Sequence, residues 1–272
     1  MEGEVSLNLL ISVCEDFFEP VKVMLHSAGR YNSNLQVYLI YSSLSMEKVE
    51  ELEKFVETEC GGKLHAILAD GYFEDVPLSE QYKKPELYFR LLAPYILPQE
   101  MDRILYMDAD IVVNGALDEF YNQEFDGEYF AVVRDRFEFC DVVVEQKKKL
   151  GLKEEDVYFN SGVILFQLKE FREHITLDMI MDFIEKNREK LVYFDQDILN
   201  CLAKDHKKLC DEKYNFQAYP LEELDAKWVE RENIVIHYTD LPKPWDKAYN
   251  ANLGYIYEEA ARKAGVCRYL NA

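Results

Sequence analysis

Asp108 and Asp110 sit two residues apart in the stretch RILYMDADIVV, residues 103–113, at the tip of an apolar run. Two carboxylates this close repel each other unless something positive lies between them. A metal ion, basic side chains or plain solvent would each meet that need. On a strand, positions i and i+2 face the same side, so both acids would converge on one cation. Hard divalent ions favour such oxygen ligands and bridge diphosphate oxygens. The competing reading is a solvated turn that blunts the end of a strand, because the chain is acidic and D-x-D recurs at Asp195 and Asp197.

The flanks separate the two copies. The first follows an apolar strand, which puts its acids at the carboxyl end of a sheet, where ligands bind. The second, FDQDILNCL, opens a helix, so Asp195 is either an N-cap or a polar group aimed into a pocket. His237 ends the apolar stretch NIVIHY, and TDLPKPW follows with Lys243. A lone histidine at a strand end is usually structural, and a loop lysine is usually solvated, although an ammonium can clamp a phosphate.

These residues need a scaffold. LNLLISV is a continuous apolar run, the pattern of a parallel strand buried on both faces. A helix over about Glu19–Arg30 follows, then the strand LQVYLIY. Ser45 caps a helix that carries Val49, Leu52 and Val56 on one face and stops at Gly61-Gly62. KLHAILA is the third strand, which completes β-α-β-α-β, the nucleotide-binding half of a doubly wound sheet. Further on, ELYFRLLAPYILP reads as a helix up to its prolines, RILYM, YFAVV and NIVIHY as strands, and YFNSGVILFQL as a motif in the middle of the chain. Leu177, Ile180, Met181 and Ile184 mark one face of a helix that begins near Thr176, and Tyr255–Lys263 a terminal helix. With no repeat, low-complexity run or Gly/Ser linker, a single α/β domain over 1–272 is expected. Its nucleotide-binding half covers about 1–113, a second half about 114–245, and a helical segment 246–272.

The net charge of −21 argues against nucleic acid or an anionic membrane as the main partner, since both attract basic patches. The start has no basic region and too short an apolar run for a signal peptide, and no stretch is long enough to span a bilayer. The six cysteines (Cys14, Cys60, Cys140, Cys201, Cys210 and Cys267) form no C-x-x-C pair. They point to reduced thiols and a cytoplasmic location rather than to a zinc site or a disulfide scaffold.

The order YFRL, YMDADIVV, YFNSGVILFQL, FDQDILN, IHYTDLPKPW resembles glycosyltransferase family 8, the retaining GT-A enzymes that include bacterial lipopolysaccharide galactosyl- and glucosyltransferases and glycogenin. The resemblance runs from the first strand to about Trp245. It implies a GT-A fold and a retaining hexosyltransferase that moves glucose or galactose from a UDP-sugar to a carbohydrate or glycolipid acceptor. It also implies Mn²⁺, with Mg²⁺ as a substitute, held by Asp108, Asp110 and His237. Arg90 then matches a donor contact, as do Ala109 and Ser161 within their motifs. Asn160, Asp195 and Gln196 match donor-sugar positions, and Lys243 matches the lysine on the diphosphate. Val13, Cys14, Glu15, Asp16 and Phe18 match the uridine pocket, with the Phe18 ring over the uracil.

Two positions depart from the pattern. Phe17 stands where the family usually has Asn, and Asp240 where it commonly has Gly after the histidine, which would set a carboxylate against a diphosphate. Those departures keep open a degenerate member that only binds a nucleotide-sugar. A sugar nucleotidyltransferase is the other alternative, although SVCEDFFEP carries neither the Gly nor the Lys that would cradle a triphosphate. For the chemistry, Asp195 or Gln196 are the available nucleophiles for double displacement. An amide is a poor one, which favours same-face return with both residues holding the sugar.

Overall fold

The computed structural model describes residues 6–78 and 84–266; Cys267 lies outside them. The apolar runs become strands in the expected order. The first half holds β1 (Leu7–Ser12), β2 (Leu35–Tyr41), β3 (Lys63–Leu68), β4 (Arg103–Met107) and β5 (Ile111–Val113). The second holds β6 (Phe130–Arg134), β7 (Phe159–Gln167), β8 (Lys207–Cys210), β9 (Phe216–Gln217) and β10 (Val235–His237). The helices are α1 (Phe18–Gly29), α2 (Met46–Glu59), α3 (Ala93–Ile96), α4 (Asp118–Tyr121) and α5 (Asp141–Lys149), then α6 (Leu168–His174), α7 (Leu177–Asn187), α8 (Asp195–Leu202), α9 (Ala226–Glu232) and α10 (Gly254–Lys263).

Seven strands form one sheet in the order β3-β2-β1-β4-β7-β6-β8. Every neighbouring pair is parallel except those made by β7, which runs antiparallel to both β4 and β6. This is a mostly parallel α/β sheet with helices on both faces, as expected for the GT-A class. The reason for the continuous apolar runs is visible in β1 and β4. Leu9, Ile11, Leu105 and Met107 join the core on one face, while Leu10, Ile104 and Tyr106 join the core on the other. A second sheet, β5-β10-β9, has a core of its own around Val112, Ile236, Phe216 and Tyr257.

Ser45 caps α2, its hydroxyl accepting from the Lys48 N–H at 3.3 Å, and Val49, Leu52 and Val56 are buried as expected. Three expectations need correction. The run ELYFRLLAPYILP is not one helix but a 3₁₀ segment, Pro85–Leu91, followed by the four residues of α3. Pro94 has no N–H to give to the Arg90 carbonyl, so an α-helix cannot run through this segment. On α7, Ile180 and Ile184 are buried, but Met181 is 41% exposed and lies off the core face. Lastly, Asp108 and Asp110 are not on a strand. They occupy the turn between β4 and β5, so strand alternation is not what brings them together.

Candidate active site

Backbone bonds from distant elements hold the turn instead. The Asp108 N–H donates to the Gly162 carbonyl on β7 at 2.9 Å, and the Asp110 carbonyl accepts from the Tyr238 N–H, just past β10, at 2.9 Å. These two staples bring the acids to His237. Its Nε2 is 3.3 Å from Asp110 Oδ1 and 3.7 Å from Asp108 Oδ2. One ligand atom from each of the three side chains lies within 4.8 Å of the others. Asp110 and His237 are buried, and Asp108 is partly open. Two carboxylates and an imidazole suit Mn²⁺ or another hard-to-borderline divalent cation.

Gly162 leaves the room for this arrangement. A Cβ there would come 2.2 Å from His237 Cε1 and 2.8 Å from Asp108 Oδ2, so only a glycine lets ring and carboxylate share this corner. The glycine of the FNSG motif therefore has a packing role that its position in the sequence did not disclose.

Lys243 reaches the same turn. Its Nζ donates to Asp110 Oδ2 at 2.7 Å and to the Tyr238 carbonyl at 2.8 Å. Burial alone would raise the Asp110 pKa, but Lys243 and His237 outweigh it and hold the carboxyl below its usual range.

Arg90 lies beneath the site, 3% exposed. It donates to Asp108 Oδ1 at 2.9 Å and to the Ser161 carbonyl at 2.5 Å, and its Nε is 3.1 Å from Asp195 Oδ2. The guanidinium stacks on Tyr106, 4.1 Å from the ring centroid, and the Tyr106 hydroxyl donates to Asp108 Oδ1 at 2.6 Å. Burial would lower the Arg90 pKa, but the two aspartates hold it above its ordinary value. Through these bonds Arg90 orients Asp108 and Asp195 from behind.

Asp195 is not an N-cap. Phe194 holds that position with φ +49° and no side-chain cap. Burial pushes the Asp195 carboxyl up to about 6 against the pull of Arg90. The Gln196 amide is engaged at both ends: its Oε1 accepts from the Ser161 N–H at 3.0 Å, and its Nε2 donates to Asp135 Oδ2 at 3.2 Å. Asp135 was not foreseen. It is a buried carboxylate whose pKa burial raises, and RDRF carries no spacing that marks it. The second D-x-D splits, because Asp197 faces away and accepts from Tyr158, Gln146, Val192 and Tyr193. It is a structural acid.

Asn160 Oδ1 accepts from the Gly162 N–H at 3.0 Å and from Asn215 Nδ2 at 2.9 Å, while Asn215 Oδ1 lies 2.9 Å from His237 Nδ1. Asn215 was also missed, since nothing in KYNFQ points to a metal corner. Ser161 and Ala109 are buried beside their motif partners.

At the carboxyl end of β1, Val13 and Cys14 are buried, and Glu15 and Asp16 are exposed on a 3₁₀ turn. Phe18, expected to cover a base, is 1% exposed in the core, with Lys48 and Lys22 ammonium groups 4.1 and 4.6 Å from its ring centroid. The half-buried ring here is Phe17, edge-on to Trp245 at 5.8 Å. Glu86 packs against the same strand ends. Its Oε1 accepts from Ser42 and Ser43, and its Oε2 is buried without a hydrogen bond.

A mostly parallel seven-stranded sheet, joined by a small sheet whose β10 brings His237 to the two aspartates after β4, places the molecule among the GT-A glycosyltransferase folds. Its backbone matches that of galactosyltransferase LgtC, solved with donor and acceptor sugar analogs, with a TM-score of 0.79 over 96% of each chain at 21% identity. The sequence profile of glycosyl transferase family 8 matches residues 8–248, and the chain belongs to that family. It is 36% identical over 183 residues to a lipopolysaccharide 1,2-glucosyltransferase of Escherichia coli, covering 62% of this chain and 52% of that protein. It is 24% identical over 261 residues to glycosyltransferase GlyE of Streptococcus pneumoniae serotype 4, covering 89% and 58%. The matched region spans little more than half the length of these two relatives.

Proposed function

We propose that this chain is a retaining hexosyltransferase of the cytoplasm. It would move glucose or galactose from a UDP-sugar to a hydroxyl of a carbohydrate or glycolipid acceptor, a precursor of a cell-surface glycan such as lipopolysaccharide. The observation that carries the reading is the convergence of Asp108, Asp110 and His237 at the carboxyl end of β4. The family, and relatives whose names are those of lipopolysaccharide glycosyltransferases, support it. No helix among the described residues is long and apolar enough to cross a membrane, in keeping with at most peripheral contact.

Asp108, Asp110 and His237 would hold Mn²⁺, or Mg²⁺ in its place. Once bound, the ion would screen the diphosphate charge that grows as the sugar leaves. Lys243 adds a second positive charge at the same place. Arg90 keeps Asp108 and Asp195 in position from below, beside the donor contact that the family resemblance implies for it. The nucleoside lies in the half formed by about 1–113, where Phe17, rather than the buried Phe18, offers a ring edge to the base. Asn160, Gln196 and Asp195 border the sugar in the 114–245 half.

A nucleophilic Gln196 is disfavoured because both ends of its amide are engaged. Asp195 is buried against a guanidinium. Same-face return needs neither: the leaving phosphate oxygen takes the proton of the acceptor hydroxyl as that hydroxyl bonds to the anomeric carbon. The acceptor would be met near Asp135, where Phe139 lines a hollow with Asp135, Arg136 and Asn215. Phe139 is 70% exposed, a face on which a sugar ring can stack.

The test is a screen of UDP-sugars for Mn²⁺-dependent release of UDP, which requires no acceptor. Release from UDP-glucose or UDP-galactose, abolished in Asp108→Ala, supports the reading. Tight UDP binding without any turnover would favour a binding-only member. Pyrophosphate formed from UTP and a sugar phosphate would favour a nucleotidyltransferase.

A further inference from the structure

The contacts behind His237 decide which of its nitrogens faces the two aspartates. His237 Nδ1, the Asn215 amide, the Asn160 amide and the Gly162 N–H form an unbroken chain with steps of 2.9, 2.9 and 3.0 Å. Asn215 is 1% exposed and His237 3%, so solvent does not compete for the bond between them, while Asn160 is partly buried. The orientation of an amide and the tautomer of an imidazole are open choices in themselves, since each offers a donor and an acceptor. A backbone N–H is not open: it only donates.

The Gly162 N–H therefore identifies the Asn160 atom it meets as the carbonyl oxygen. That oxygen cannot donate, so the Asn215 atom facing it is the NH₂ group. The other end of the Asn215 amide, its oxygen, then faces the imidazole, and in the neutral ring Nδ1 must carry the hydrogen. Nε2 is left with its lone pair, and Nε2 is the nitrogen that lies 3.3 Å from Asp110 and 3.7 Å from Asp108.

We infer that Asn215 is a positioning residue for cation binding. With Asn160, it passes the polarity of one β7 backbone amide to His237, fixing the ring with Nε2 free to coordinate beside Asp108 and Asp110. The inference rests on the metal reading of this corner. It adds a residue whose amide bonds to His237 and Asn160 rather than to the two aspartates, and it gives Asn160 a task besides bordering the sugar. A partner behind a ligating histidine commonly changes metal affinity by ten- to a hundredfold when it is removed.

The test measures Mn²⁺ affinity directly, from the electron paramagnetic resonance signal of free Mn²⁺ during titration of the full chain without nucleotide. Asn215→Ser keeps a hydroxyl, but on a side chain too short to hold it where the Asn215 oxygen meets Nδ1, and is expected to weaken binding about tenfold or more. Asn215→Asp keeps an oxygen for the Nδ1 hydrogen and is expected to stay within about fivefold of the unaltered protein. Both variants lose the NH₂ group that meets Asn160 at 2.9 Å, so a packing role would weaken them alike, whereas positioning lets Asp rescue what Ser loses.

Unaltered affinity in Asn215→Ser, or an Asn215→Asp variant as weak as Asn215→Ser, overturns the inference. If Asn215→Ser does not fold, Asn215→Asp decides alone: more than about fivefold weakening overturns it. Should the unaltered protein take up no Mn²⁺, the metal reading falls and the inference falls with it. Binding by the unaltered protein that Asn215→Ser leaves untouched removes the inference only.

Discussion

Gly162 shows how far a single hydrogen atom matters at this site. Replacing Gly162 by Ala would drive a methyl to 2.2 Å from the His237 ring. The expected outcome is at least a tenfold loss of Mn²⁺ affinity, read by titration, with about 1–3 kcal/mol of overpacking cost in thermal unfolding. Asp240 offers the reverse case. It takes φ +66°, a backbone geometry that suits glycine, and its carboxylate accepts from the Leu241 N–H at 2.8 Å while exposed to solvent. The chain thus keeps the backbone course a glycine would take and adds a negative charge. Asp240→Gly should leave unfolding nearly unchanged and tighten UDP binding by up to about fivefold, the scale of one exposed like charge, as calorimetry would show. Away from the site, burial pushes the Lys207 amine down to about 8. A folded value below the unfolded one means that charged Lys207 costs stability below that pH, and the cost fades as pH rises towards about 10.4. Lys207→Met should accordingly raise the melting temperature at about pH 7 and lose that advantage near about pH 10. At this scale the sequence disclosed side-chain chemistry but not direction. Asp108 and Asp110 could be picked out because an apolar run pointed to them, whereas His237 joined them only through the family resemblance. Asp135 and Asn215 could not, because a polar residue after a short strand looks the same whether it faces a cleft or water.

The elements carry the next level of the account. Caps, strand runs and terminal helices followed from local chemistry, as Ser45 and the β1 alternation illustrate. Where tertiary demands intervened, local reading failed: one proline divided the segment that bears Arg90, and two backbone bonds, not strand pleat, aligned the acids. The helix α7 tests how sharply its buried face is drawn. Ile180→Ala should cost about 2–4 kcal/mol, because a fully buried side chain leaves a cavity. Met181→Ala, one residue on, should stay within about 0.5 kcal/mol. Equal losses in chemical denaturation would show that both side chains lie on the core face.

At the scale of the molecule, the proposed function asks a chain of 272 residues with a net charge of −21 to admit an anionic nucleotide. A bound cation reverses the local potential and makes that entry favourable. UDP at about a hundred times its Kd, with Mn²⁺, should add roughly 2.7 kcal/mol of stability, a rise of about 5–10 °C in melting temperature. UDP without a divalent ion should give much less. The fold class was readable from composition and periodicity, but the pairing of β4 with β7, and the small sheet that brings β10 to β5, depend on contacts more than fifty residues apart. That separation has a consequence in time. The hydrogen bond between Asp110 and Tyr238 joins a turn to a residue just past β10 that is made more than a hundred positions later. A growing polypeptide emerging from the ribosome therefore has its sheet strands β1 to β4 long before it can close its three-ligand corner, so the ability to grip a cation would arrive abruptly, only once β10 has been made.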